Sequence, residues 1–205
     1  MTTDQLGQLQ FVWWEADPRD EAGMWWGQLA GGTHRLMSAV EHLSKLPGRR
    51  KTDDALNELG YHLENYFTRT YELRERAVGL MGKILGRRFG AAKIPGRRAA
   101  LAATIPERFQ GASMPFFSLL DLLDYESEIR NKHTHAQFLS IVLATRDDFF
   151  DPADALMDTE RGEFSRPLNS QLRREVARLS KEYGDRARNI IRMTWKVLET
   201  TQRLL

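Results

Sequence analysis

The chain has 205 residues, 41% of them apolar, no cysteine and a formal net charge of +2 at pH 7. This length and apolar content fit one domain with a sizeable core, and the lack of cysteine excludes a disulfide framework and Cys-ligated zinc. The first residues have neither a basic nor an apolar signal region, and no stretch approaches about 18 consecutive apolar residues. We therefore expect a soluble, cytoplasmic protein that does not bind a membrane.

The first 20 residues are predicted to form an aromatic arm that precedes a single domain over residues 21–205. Residues 11–14 read FVWW, and Pro18 ends any regular element that contains them. The aromatic cluster either covers the edge of the chain's own core or lies on a partner subunit. The sequence leaves both placements open.

Two long amphipathic helices dominate the pattern. A first helix is predicted over about residues 21–46, with a possible kink at Gly31-Gly32. A second helix runs from an N-cap at Thr52 to a stop at Gly86. Its thirty-odd residues would span roughly 50 Å at about 1.5 Å per residue. The last helix, about 170–205, repeats apolar residues at heptad spacing, and Arg186 interrupts that stripe.

The segment after Gly86 is interrupted by glycine and proline and is strongly basic. It contains six basic and no acidic residues between positions 83 and 98: Lys83, Arg87, Arg88, Lys93, Arg97 and Arg98. Five of them, from Arg87 to Arg98, are candidates for binding the phosphates of a nucleic-acid substrate. A solvated loop with excess arginine is an equally good interpretation.

Two shorter helices are predicted between the basic segment and the last helix. The apolar run over about 114–128 suggests a central bundle helix, and a second helix is expected over about 131–145, followed by an acidic connector. These elements together predict an all-α fold, an elongated up-and-down helical bundle with two long amphipathic helices.

The most informative residues lie at the junction between these two predicted helices. Residues 125–136 read YESEIRNKHTHA, so that Arg130 and Asn131 are followed by His135 in the pattern R-N-x-x-x-H. This pattern, with a long helix upstream and a closing helix downstream, resembles the signature of HEPN domains, a superfamily of helical bundles. Only these three residues match position by position.

The resemblance implies both a fold and an activity. Residues 21–205 would form a HEPN-like domain, and many HEPN members are metal-independent endoribonucleases in toxin–antitoxin, phage-defence and RNA-processing systems. We accordingly expect RNA as the substrate, no cofactor, a homodimer with motifs from both chains at its interface, and an antitoxin as one conceivable partner. Arg130, Asn131 and His135 would be the catalytic residues.

The residue types suit this chemistry irrespective of the family. RNA supplies its own nucleophile, the 2′-hydroxyl, so cleavage needs a proton-transferring group and a cation for the phosphate. An imidazole with an ordinary pKa near ~6.5 transfers protons at neutral pH, and a guanidinium binds two phosphate oxygens. On one continuous helix, however, Arg130 and His135 are rotated by about 140°, so either Arg130 precedes the helix or a second subunit completes the site.

Several alternatives remain open at these residues. His133 is a second candidate for the working or substrate-binding histidine, and Arg130 could instead pair with Glu126 or Glu128. His133 and His135 could also bind zinc, although two histidines two positions apart diverge on a helix. Other side chains of the long helix could line the site, but core and surface roles suit them better: Tyr61, Glu64, Tyr71 and Arg74.

Two other functional classes compete with the ribonuclease. The first is a non-catalytic HEPN-like module for dimerisation, nucleotide binding or partner binding. The second is a DNA-binding regulator that uses the basic segment. Neither a glycine-rich phosphate loop nor a G-x-S-x-G sequence occurs, which argues against P-loop nucleotide hydrolysis and α/β-hydrolase chemistry.

Overall fold

The computed structural model describes residues 21–48, 52–86, 105–135 and 161–205. These residues form four α-helices: α1 (Glu21–Lys45), α2 (Thr52–Ile84), α3 (Gln110–His135) and α4 (Arg161–Gln202). Short 3-10 turns at Leu46–Gly48 and Glu107–Phe109 follow α1 and precede α3, and the described ranges contain no strand. The all-α prediction is therefore confirmed, while the predicted arm over residues 1–20 lies outside the described residues.

The four helices form an antiparallel ring. α1 and α3 each pack on α2 and α4, so α1 and α3 occupy opposite corners. Near the start of α1 the Trp26 indole donates a hydrogen bond to the Leu198 carbonyl of α4 at 3.0 Å, and near its end His42 stacks on His62 of α2. Each neighbour of α1 thus runs in the opposite direction, as expected for an up-and-down bundle.

Apolar side chains from all four helices fill one continuous core. Leu36, Leu73, Leu120 and Val197, one from each helix, are completely buried. The heptad stripe predicted for the last helix faces this core, because Val176, Leu179, Tyr183 and Ile190 are buried within the subunit. That stripe therefore supports packing inside the chain. None of the helices in the described part of the chain combines the length and the apolar composition needed to cross a bilayer.

Two glycines allow α1 and α2 to approach closely. A Cβ atom at Gly79 of α2 would lie 2.5 Å from two carbons of the Trp25 ring, and a Cβ at Gly32 of α1 would lie 2.5 Å from Nη1 of Arg76. The helix α1 continues through Gly31-Gly32. Gly32 thus serves the contact between helices, whereas Gly31 has nothing within 4 Å of an added Cβ.

The helix ends agree with the predictions for α2 but differ for α3 and α4. α2 begins at Thr52, and Gly86, with φ of 63°, follows its end in the left-handed region that glycine adopts readily. α4 begins at Arg161, earlier than predicted. The predicted break between residues 128 and 131 is wrong, because α3 is continuous from Gln110 to His135.

Candidate functional site

Arg130 lies near the C-terminal end of α3, against the neighbouring helix α2. Its guanidinium carbon stands 5.3 Å from the centroid of the Tyr71 ring, over the ring face, and the side chain is half-buried. Tyr71 is 45% exposed, so the pair lies at the surface of the bundle and not in its core. A cation above an aromatic face gains about 0.5–1 kcal/mol at such sites, enough to bias the orientation of the guanidinium.

Asn131 is exposed and lies inside α3, not at the start of a new helix. An asparagine at a predicted helix junction is most simply an N-cap, but Asn131 cannot take that role, because an N-cap residue precedes the first helical turn. The backbones of His133 and His135 belong to the last turn of α3, but their side chains lie outside the described residues. The continuous helix rotates positions 130 and 135 by about 140° relative to each other.

A buried ion pair fixes α3 to α2 next to this end. Nε of Arg74 donates a hydrogen bond to Oδ1 of Asp124 at 2.5 Å, and these side chains are only 12% and 15% exposed. Nη1 of Arg74 also lies 3.4 Å from Oε1 of Glu75. Arg74 and Tyr71, two of the long-helix residues considered as a lining of the site, are thus found at the α2–α3 contact.

One turn before Arg130, Glu126 enters the interior and meets Arg186 of α4. Glu126 is 2% exposed, and its Oε2 lies 3.7 Å from Nη1 of Arg186. Nη2 of Arg186 donates to Glu182 at 2.7 Å, and its guanidinium packs over the rings of Tyr125 and Tyr183 at 5.2 and 5.1 Å. The partner of Glu126 is therefore Arg186, and the alternative in which it pairs with Arg130 is wrong.

The interior around Glu126 is polar but incompletely hydrogen-bonded. The Tyr66 hydroxyl of α2, Oε2 of Glu126 and Nη1 of Arg186 are each enclosed and make no hydrogen bond within the described part of the chain. Burying a polar group without a hydrogen bond costs free energy, because the group gives up its hydrogen bonds to water. The three polar atoms join α2, α3 and α4 at one level of the bundle.

Burial controls the protonation of this cluster. It raises the pKa of Glu126 above its ordinary value, against the opposing effect of the Arg186 charge. Burial, reinforced by the charge of Glu126, raises the pKa of the Tyr66 phenol far above its usual range, and burial raises the pKa of Tyr183 to about 12. Both phenols stay protonated at neutral pH, so the cluster serves to hold α3 in place and not to transfer phenolic protons.

The sequence contains a signal for this cluster that lies outside the R-N-x-x-x-H motif. Arg186 interrupts an otherwise apolar heptad stripe on α4, and Glu126 continues the spacing of the buried residues Leu119 and Leu123 on α3. Charged residues are almost never fully buried unless they are paired. One acid and one base on the core stripes of two helices therefore predict a buried pair.

The remaining predicted site residues lie outside the described residues: Arg87, Arg88, Lys93, Arg97 and Arg98. Across residues 21–48, 52–86, 105–135 and 161–205, no three His, Asp or Glu side chains form a group that could hold a metal ion. No family model, curated protein or solved structure matches the chain. The chemistry of the α3 end is consequently inferred from its own residues.

Proposed function

We propose that this chain is a metal-independent endoribonuclease of the HEPN type that cleaves RNA by attack of the 2′-hydroxyl. Arg130 stabilises the phosphate, His135 transfers protons and Asn131 orients the substrate or the histidine. The observation that carries the proposal is the R-N-x-x-x-H motif at the surface end of α3, where Arg130 is half-buried over Tyr71 and Asn131 is exposed.

The proposal includes a homodimer whose sites combine residues from both chains. Residues 130 and 135 lie on one continuous helix and are rotated by about 140°, which disfavours joint action within one chain. A two-fold axis beside the end of α3 would bring Arg130 of one protomer near His135 of its partner. Each dimer would then contain two equivalent sites.

Cleavage of assorted RNAs in the presence of EDTA tests the activity. We expect wild-type protein to leave 2′,3′-cyclic phosphate or 3′-phosphate ends, and the same strand made with 2′-deoxyribose to remain intact. Arg130→Ala and His135→Ala should each lower the rate by at least about a hundredfold, the usual contribution of a positioned acid–base group. His133→Ala, measured in parallel, identifies the working histidine: we expect a smaller loss than for His135→Ala, and the reverse order would assign the proton transfer to His133.

Mixing the two inactive variants tests the shared site. If Arg130 and His135 act across the interface, a heterodimer of Arg130→Ala and His135→Ala retains one intact site out of two. Random exchange of subunits would then restore about a quarter of the wild-type activity. No recovery after verified exchange would reject the two-chain site, and RNA cleavage that survives the double substitution would reject the ribonuclease assignment altogether.

A further inference from the structure

An open groove of about 820 Å³ runs between α1 and α4. Met37 and Val40 of α1 and Ile191 of α4 give it an apolar lining. Since α1 and α3 occupy opposite corners of the ring, this face is opposite the α2–α3 face on which Arg130 meets Tyr71. The groove is therefore separate from the proposed cleavage motif.

Trp195 gives the groove a large aromatic surface. The indole is half-buried, and its Nε1 donates a hydrogen bond to Glu199 at 2.6 Å. That hydrogen bond already limits the rotation of the indole ring. A planar ligand that stacks on the ring would therefore cost little further side-chain entropy. Stacking on aromatic side chains is how proteins bind nucleobases without regard to sequence.

Arg192 supplies a positive charge beside that surface. It lies one helical turn before Trp195 and donates to the neutral amide oxygen of Asn189 at 2.7 Å; no carboxylate pairs with it within the described ranges. The other charges of the groove are balanced nearby, because Arg188 pairs with Asp185 at 2.6 Å and Glu41 with Lys45 at 2.7 Å. One guanidinium thus remains available to an anion.

We infer that this groove binds a nucleotide unit, with the base on Trp195 and the phosphate on Arg192. The volume falls within the range of about 300–1,000 Å³ typical of small-molecule sites. The indole and the uncompensated guanidinium, one helical turn apart, match two parts of such a ligand: the base and the phosphate. The nucleotide is either free or part of a single-stranded RNA, and the two sources differ in their binding behaviour.

Binding is measured in an Arg130→Ala background, so that RNA stays intact if the protein cleaves it. The probes are a fluorescein-labelled RNA of six nucleotides, followed by anisotropy, and adenosine monophosphate and inorganic phosphate, followed by calorimetry. We expect Trp195→Leu and Arg192→Glu each to weaken binding by about tenfold or more, the size of a lost base stack or phosphate contact. Trp195→Phe retains an aromatic ring and should lose less.

Arg174→Ala is the matched control, because Arg174 is an exposed arginine of α4 outside the groove. It should change affinity less than twofold, and thermal unfolding of every variant checks that the bundle is intact. Competition of adenosine monophosphate with the RNA would identify a free-nucleotide site, and binding of the RNA alone would identify a strand site.

Three results would overturn the inference: no binding of either nucleotide probe at millimolar concentration, equal weakening by Arg174→Ala, or insensitivity to both groove substitutions. Binding does not require cleavage. A protein that binds at this groove but never cleaves RNA would uphold the inference and reject the ribonuclease. A protein that cleaves RNA but binds no nucleotide at this groove would do the opposite.

Discussion

Replacing Arg186 with methionine tests whether the charge buried at Glu126 depends on its partner in α4. Methionine keeps an unbranched, flexible side chain, but it is shorter and removes the guanidinium, together with its packing over the Tyr125 and Tyr183 rings. Glu126 is 2% exposed, so solvent cannot replace the lost charge. We expect a lower free energy of unfolding at neutral pH, and a loss that depends on pH.

Two quantities set the size of that loss. At 3.7 Å the attraction between the two charges is about 4.5 kcal/mol for an effective dielectric constant of about 20. Without Arg186, the carboxyl of Glu126 can instead bind a proton and become neutral. For a carboxyl with the ordinary pKa of 4.5, this protonation costs about 3.4 kcal/mol at pH 7. The second figure is the smaller, so it is the upper limit for the charge contribution. It falls by about 1.4 kcal/mol with each pH unit toward 4.5.

Urea denaturation at pH 7, 6 and 5 measures this dependence. Arg188→Met is the matched control on the same helix, since Arg188 is 56% exposed in its pair with Asp185 and this solvent-screened pair should contribute little to the free energy of unfolding. A deficit for Arg186→Met that is equal at pH 5 and pH 7 would refute the reasoning, because lost packing and not lost charge would explain it. A deficit that changes by more than about 1.4 kcal/mol per pH unit would refute it as well, because the protonation of one carboxyl cannot account for it.

The other stability predictions concern Glu126 and the glycines at the α1–α2 contact. Because burial raises the pKa of Glu126, its protonation favours the folded chain below about pH 4.5, and this stabilisation is lost as the pH rises through the raised pKa. Relative to the wild type, Glu126→Gln should therefore gain free energy of unfolding as the pH increases, and a difference that stays constant from pH 4.5 to 8 would contradict this. In Gly79→Ala the new Cβ meets the Trp25 ring at 2.5 Å, and this overpacking should cost about 1–3 kcal/mol. The higher helix propensity of alanine offsets about 1 kcal/mol of that loss. In Gly31→Ala the new Cβ meets nothing within 4 Å, so this variant should be about 0.5–1 kcal/mol more stable than the wild type. Thermal unfolding measures both variants, and a stability change of the same sign in both would contradict a role for the close contact at Gly79.

The sequence predicts those parts of the fold that depend on local signals. A threonine suited to an N-cap and a glycine bracket a continuous apolar period and predict α2 from Thr52 to a stop at Gly86, and the structure confirms both ends. The apolar stripe of α4 faces the core because heptad spacing needs a partner surface, which the subunit itself provides. Period and caps are properties of a single segment, so one sequence suffices to identify them.

The break predicted in α3 shows where such reasoning fails. An asparagine at a predicted helix junction suits an N-cap, but neither glycine nor proline interrupts residues 126–135, and Ile129 packs against the core when the helix continues. Tertiary burial outweighs the capping preference of one asparagine.

The continuity of α3 also links the scaffold to the proposed site. Asp124, Glu126 and Arg130 lie on one rigid helix, so that the contact of Asp124 with α2 and that of Glu126 with α4 set the position from which Arg130 reaches Tyr71. A catalytic arginine requires placement within a fraction of an ångström, and an element held on two sides provides it better than a loop. The same helix rotates position 135 by about 140° from position 130, which disfavours joint action of the two residues within one chain. The proposed ribonuclease therefore depends on a second subunit to supply the histidine, and the mixing of inactive variants tests that dependence directly.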